Sequence, residues 1–219
     1  MESATEARCS SYSWLEQMTG TRWVGVKFLN YLSAGRPRVP GDALRFCEAV
    51  CRAGPAPLDL SPEMIRCEGA KRAFGWMRNQ DEALALHLSE KTGMKRARAL
   101  ELVRQVPVLG YAYAGIRVGE CANPDVLITY TRPEAAMRLV RRWETATGRG
   151  LRVEVSSIMA VCGNAVVKAY MSQSISISFG CPDSRQYGGI QPEEMVIAIP
   201  TGILSHFGPV VDSGSVPPQ

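Results

Sequence analysis

Seven cysteines set against two histidines carry most of the chemistry this chain can offer. Cys67 precedes Glu68-Gly69-Ala70, Cys162 precedes Gly163-Asn164, and Cys181 follows Gly180 and opens Pro182-Asp183-Ser184-Arg185. Each of the three stands near a glycine or at a predicted element boundary, where small neighbours leave room for a bulky group to approach the sulfur. Three thiolates from distant segments can hold an iron–sulfur cluster, since its ligands need converge only in space. With three protein ligands one iron stays open and can polarise a substrate oxygen as a Lewis acid. Cys47, on a predicted helix, is a candidate fourth ligand. The alternative is a set of independent buried thiols, because free cysteine is among the most buried residue types.

Cys47 and Cys51 lie four apart and share one helix face, yet Phe46, Cys47, Val50 and Cys51 also read as an apolar stripe. No C-x-x-C occurs, so neither a zinc ribbon nor a thioredoxin-like dithiol is indicated. An odd number of widely spaced cysteines without a secretory leader argues against a disulfide framework. His87 and His206 alone are too few for a His-based zinc or non-haem iron site. Around Cys181, Arg185 can hold a carboxylate bidentately, or it can pair with Glu193 or Glu194 and staple the loop. Ser184 and Tyr187 are further substrate-binding candidates, and Gly188-Gly189 allows close approach of a ligand. Glu194 is a candidate acid/base. Lys27, set between Val26 and Phe28, either fixes a substrate anion inside a pocket or snorkels to the surface.

The elements that must position these groups follow from periodicity. Trp23–Leu29 reads as a strand, and Asp125–Tyr130 as a buried one. Gln173–Phe179 alternates with a period of two, and Met195–Ile199 is continuously apolar up to Pro200. Helices are expected over residues 5–18, over Asp42–Arg52, from Ser61-Pro62-Glu63 through Cys67–Ala70, and from Asp81 to Gln105 with a break at Thr92-Gly93. Another runs from Pro133 to Gly148, and one starts near Cys162. Tyr111–Tyr113 is ambiguous, with a strand as one reading. Gly180–Arg185 is expected as a tight loop at a strand end, Ser33–Gly41 as a loop, and 209–219 as a disordered tail. The pattern predicts a single compact α/β (or α+β) domain over residues 10–208, with a mixed β-sheet and helices packed on its faces.

Composition narrows the function classes. The 25 basic and 21 acidic residues leave a net charge of +4, too small and too dispersed for nucleic acid; Lys95-Arg96-Ala97-Arg98 is the densest basic run and reads as a solvated helix face. No apolar run approaches the ~20 residues of a bilayer span, and Met1–Glu6 has no basic or apolar leader character. A cytoplasmic protein, off the membrane, is the expectation. Neither G-x-G-x-x-G nor G-x-x-x-x-G-K occurs, so nucleotide chemistry has no positive support.

Several blocks also resemble one family. Val24-Gly25-Val26-Lys27-Phe28, Arg45-Phe46-Cys47-Glu48-Ala49-Val50 and Cys67-Glu68-Gly69-Ala70 are similar, in order, to blocks of DUF169 (ArCR). So are Asn123–Ile128, Pro133–Val140, and Gly180–Arg185 through Glu194-Met195 and Ile199-Pro200. The resemblance runs from about Trp14 to Phe207. It implies that Lys27, Cys47, Cys67, Cys162, Cys181, Ser184, Arg185 and Glu194 fall in family motifs, while Cys9, Cys51 and Cys121 match less well. The family label denotes a domain of unknown function. The residues together predict a cytosolic cysteine-ligated metalloprotein, an iron–sulfur enzyme acting on a small anionic metabolite. A metal-free small-molecule-binding or accessory protein of a biosynthetic pathway is the alternative.

Overall fold

The computed structural model describes residues 12–32, 43–54 and 56–207. Among them six strands form one sheet: β1 (Val24–Leu29), β2 (Leu58–Leu60), β3 (Gly115–Gly119), β4 (Val126–Thr131), β5 (Ser176–Ser178) and β6 (Met195–Pro200), in the spatial order β2-β3-β1-β4-β6-β5. The expected α/β arrangement, one sheet with helices on its faces, is present, and strands through Val26, Ile128, Ile177 and Ile197 all belong to it. The pairing differs from the mixed sheet expected, since all five ladders are antiparallel. Helices between strands suggest parallel crossovers only if they carry the chain back to the starting edge. Here the long helical excursion between β2 and β3 leaves and re-enters at the same end, and its two flanking strands pair antiparallel.

Strand periodicity divides the core in two. Val24, Val26 and Phe28 of β1, Val126 and Ile128 of β4, and Val196 and Ala198 of β6 pack on one face. Leu127, Ile197 and Ile199 leave from the other face. The second face is covered by α1 (Ser13–Thr19) and, later in the chain, by a long amphipathic helix ending at Gly148. The first face is covered by short elements: α2 (Phe46–Arg52), α3 (Glu68–Ala73), and a π-helical turn over Cys162–Val167, all six residues of which are buried. Between α3 and β3 come α4 (Asp81–Thr92) and α5 (Arg96–Gln105), a helical hairpin turned at Gly93, whose φ of +71° is left-handed. The long helix is α6 (Pro133–Thr147), begun at a proline and stopped at left-handed Gly148. The π turn runs into α7 (Lys168–Ser172), and α8 (Pro182–Tyr187) precedes β6.

Several expectations need correction. The helix through Cys67–Ala70 is two pieces, a 3-10 turn at Pro62–Met64 and then α3, because Ile65 bridges to Leu44 between them. Gly180–Arg185 is not simply a loop, since Pro182 begins α8 with Cys181 as its N-cap. Tyr111–Tyr113 carries no strand; β3 starts at Gly115, and β2 and β3 give no periodic signal in the sequence because they are short runs interrupted by Asp59 and Arg117. Those two charges pair bidentately across the ladder at 2.6 and 2.8 Å. On β5 it is Ser176 and Ser178 that are fully buried, while Ile177 is only partly so. Ser178 can be buried because its hydroxyl donates to the Ala160 carbonyl at 2.8 Å. Residues 1–11, Ser33–Gly41, Asp42 and the tail from 208 lie outside the described residues.

Candidate functional site

On the face of the sheet that carries the short helices lies a cavity of about 810 Å3. Cys47, Cys67, Cys162 and Cys181 all line it. They come from four elements: the first turn of α2, the N-caps of α3 and α8, and the start of the π turn. Cys47 and Cys162 are buried, and Cys67 and Cys181 partly so. Cys51, one turn after Cys47, is exposed instead and sits against Gly189, where an added Cβ would come 2.7 Å from its sulfur. Cys121 lies near Gly25 and does not line the cavity. Cys9 lies outside the described residues.

The common feature of the four lining thiols is a helix start. The main-chain N–H groups of Glu48, of Gly69 and Ala70, and of Gly163 lie near the sulfurs of Cys47, Cys67 and Cys162 respectively, and that of Ser184 meets the Cys181 side chain. Those near Cys47, Cys67 and Cys162 favour the thiolate, although Ala70 and Gly163 donate to the Cys67 and Met159 carbonyls at 3.1 and 2.9 Å. Burial works the other way. It pushes the Cys47 thiol up to about 12, with the neighbouring Cys181 and Cys67 adding to the rise. Burial likewise raises Cys67, and Cys162 well above the ordinary thiol value, again with other cysteines contributing. Without a bound cation these groups are neutral thiols at pH 7. Cys47, Cys67 and Cys162 each lie close enough to another lining cysteine for a charge there to oppose their own ionisation. Among the described residues no three His, Cys, Asp or Glu side chains are grouped as a single metal ion would require. Tyr130, partly buried, donates to the Cys47 carbonyl at 3.3 Å.

Glycines let the wall close around the thiols. A Cβ at Gly69 would come 2.7 Å from Met159 Cγ, and one at Gly188 2.8 Å from Cys47 Cβ. The opposite wall is the inner side of the α4–α5 hairpin with Leu84, Leu88, Met94 and Val103, joined by Ile158 and Met159. Charged groups gather at the rim. Asp183 accepts from Lys91 at 2.9 Å and Arg45 at 3.4 Å, tying α8 to the hairpin and to the start of α2. Burial opposes the Asp183 charge, but Lys91 and Arg45 together hold its carboxyl below the usual range. Arg66 pairs with Glu48 at 2.7 Å, and Arg45 stacks over the Tyr187 ring at 3.9 Å.

The remaining expected site residues, Ser184 excepted, are placed elsewhere. Arg185 donates to the carbonyls of Phe179 (2.6 Å), Glu194 (2.9 Å) and Gln191, so it staples the α8–β6 connection and does not line the cavity. The Glu194 carboxylate accepts from the Gln191 N–H within the same turn. Lys27 occupies a β1 position alternate to Val26 and Phe28, so it leaves from the other face of the sheet, where its ammonium donates to the Asn123 carbonyl at 2.8 Å. Ser184 lines the cavity, but its hydroxyl is engaged by the main chain of Cys181, at 2.8 and 2.9 Å. Tyr187 stands beside the rim through its stack with Arg45. Arg45, Arg66, Lys91 and Asp183 line the cavity without having been expected to, although Arg66-Cys67 puts a guanidinium next to a thiol in the sequence itself and Arg45-Phe46-Cys47 puts one two residues away.

Residues 19–207 match the model of DUF169, described as an uncharacterised ArCR family. An uncharacterized protein of Methanocaldococcus jannaschii is 30% identical over 143 residues, which cover 61% of this chain and 60% of that relative. No solved structure matches the chain.

Proposed function

The chain belongs to the DUF169 family, and we propose that it is a cysteine-ligated iron–sulfur protein that acts on a small anionic metabolite held in the cavity beside the cluster. The observation that carries this reading is that Cys47, Cys67, Cys162 and Cys181, far apart in sequence, line one cavity. Cys67, Cys162 and Cys181 are the ligands, with Cys47 the fourth or a neutral neighbour. A cluster spreads its ligands over several iron atoms, so it does not need three side chains grouped about one ion. Main-chain N–H groups at each sulfur favour thiolate and tune the potential of a bound cluster. Such a cluster, with one iron left open, supplies Lewis-acid chemistry. The cavity far exceeds the space of four side chains and leaves room for a substrate.

The cations that hold the substrate are Arg45, Arg66 and Lys91 rather than Lys27 and Arg185, because these three reach the cavity. Glu68 and His87 line it as the proton-carrying groups, in place of Glu194. A cytoplasmic setting is part of the proposal, since the six described cysteines are all unpaired thiols and a reducing compartment keeps them so. Among the described residues no helix is long and apolar enough to cross a membrane.

The second reading, a metal-free binding pocket, draws on the apolar hairpin wall and on the absence of a close three-ligand group among the described residues. Anaerobic purification with iron and sulfide analysis and optical spectra separates the two. Iron, sulfide and a charge-transfer absorption that disappears in Cys67→Ala, Cys162→Ala and Cys181→Ala support the cluster. A colourless, iron-free protein, both as purified and after anaerobic reconstitution, overturns it.

A further inference from the structure

The cavity has two chemically different sides. Leu84, Leu88 and Met94 of the hairpin are only partly buried by protein and line the cavity, with Ile158 and Met159 continuing the apolar side. The hairpin's own small cluster fully buries only Ala85, Ala99 and Val103, so much of its apolar inner side faces the cavity rather than a packed core. The rim holds the charge, and cations outnumber carboxylates at each point. Arg45 and Lys91 share the single carboxylate of Asp183, and Arg52 and Arg66 share that of Glu48. Among the lining groups, Arg45, Arg66 and Lys91 face Glu68 and Asp183, a surplus of one positive charge.

From this arrangement we infer that the cavity binds an amphipathic anion, with an aliphatic or aromatic body against the α4–α5 hairpin and one carboxylate-like group at the Arg45–Lys91–Arg66 rim. The inference rests on the cavity being the substrate site, but not on the cluster. A fully polar anion would leave the apolar side wet, and a neutral apolar molecule would leave the surplus cation without a partner. A body of the size the cavity admits falls among small organic ligands, whose pockets span roughly 300–1,000 Å3 and combine apolar walls with a few polar anchors.

The test uses the full chain, with iron content recorded for each preparation. The fluorescent probe 8-anilinonaphthalene-1-sulfonate is bound first and then displaced by decanoate, decanol or inorganic phosphate. Decanoate is expected to displace the dye at about one-tenth the concentration of decanol, the ratio that one additional ionic contact of about 1.4 kcal/mol provides, and phosphate should displace none. Lys91→Met should remove most of the preference for decanoate, and Leu84→Asp should weaken decanoate and decanol alike. Lys91 is half exposed, so its variant is expected to fold, and the wild-type comparison decides the matter without it. Equal displacement by decanoate and decanol overturns the anion requirement. Displacement by phosphate as strong as by decanoate overturns the apolar requirement, and dye binding unmoved by Leu84→Asp overturns the location. Selective decanoate binding by an iron-free protein would remove the cluster and leave this inference standing; iron with no selectivity would do the reverse.

Discussion

The two faces of the sheet are closed in different ways, and the difference accounts for where the cysteine-lined cavity lies. On one face α6 runs for 15 residues beside α1 and lays Ala136 and Leu139 against Leu127, Ile197 and Ile199, four of these five with no exposed surface. A long helix covers a sheet with its side, so its polar ends lie away from the core. On the other face α2 has 7 residues, α3 and α8 have 6 each, and the π turn has 6. Short elements cover a sheet incompletely, and their beginnings point inward. That brings helix starts to one place, leaves a hollow between them, and gives Cys47, Cys67, Cys162 and Cys181 an opening. A π-helical segment is itself uncommon and tends to mark functional sites; here it carries Cys162 and holds Asn164 against the Ile158 carbonyl at 2.7 Å.

If the contrast is right, equal damage to the two faces should have unequal consequences. The largest loss of stability is expected from Leu139→Ala on the closed face. Removing a fully buried leucine should cost about 2–5 kcal/mol and should barely alter dye or metal binding at the cavity. Chemical denaturation measures the first and the displacement assay the second. A cavity lost together with that leucine would mean that the faces are not independent.

Gly163→Ala should cost less, about 1–3 kcal/mol from overpacking, but should disturb the cavity more. An added Cβ would overlap Val106 and come 3.4 Å from Met159 Cβ, forcing the π turn away from Val106 at the end of α5. Denaturation together with iron reconstitution reports both effects, and a loss of stability with unchanged metal uptake would argue against a role for the turn in the site.

The smallest effect is expected at the rim. Asp183 is about a third exposed, and screening limits its ion pairs to roughly 1 kcal/mol or less. Because its folded carboxyl is held below the ordinary value, that contribution is present above the unfolded pKa of about 3.9 and is lost as pH falls through the folded value. Wild type and Asp183→Asn should therefore differ slightly at pH 7 and converge in acid. A difference that persists at pH 2 would assign the effect to something other than charge.

Much of the candidate site was legible one residue at a time. Cysteines beside small residues and helix-start signals stood out at Cys67, Cys162 and Cys181, because glycine and proline act on the local backbone wherever they occur. Arg185 looked like an anion receptor because its type was right. Its true partners are main-chain carbonyls at Phe179, Gln191 and Glu194, and carbonyls leave no mark on side-chain identity. Lys91 lies 92 positions from the Asp183 it touches, a separation across which no periodicity extends.

The sequence by itself determined the class of fold, the strands at β1, β4 and β6, the break in the hairpin at Gly93, and the thiol-rich, histidine-poor chemistry. These depend on residue type and on spacings of two to four residues, which the backbone converts directly into structure. The antiparallel ladders, the face on which Lys27 emerges and the meeting of four cysteines in one cavity were decided only by the tertiary structure. Each depends on how distant segments pack, and a thiol carries no information about which other thiol will stand across from it.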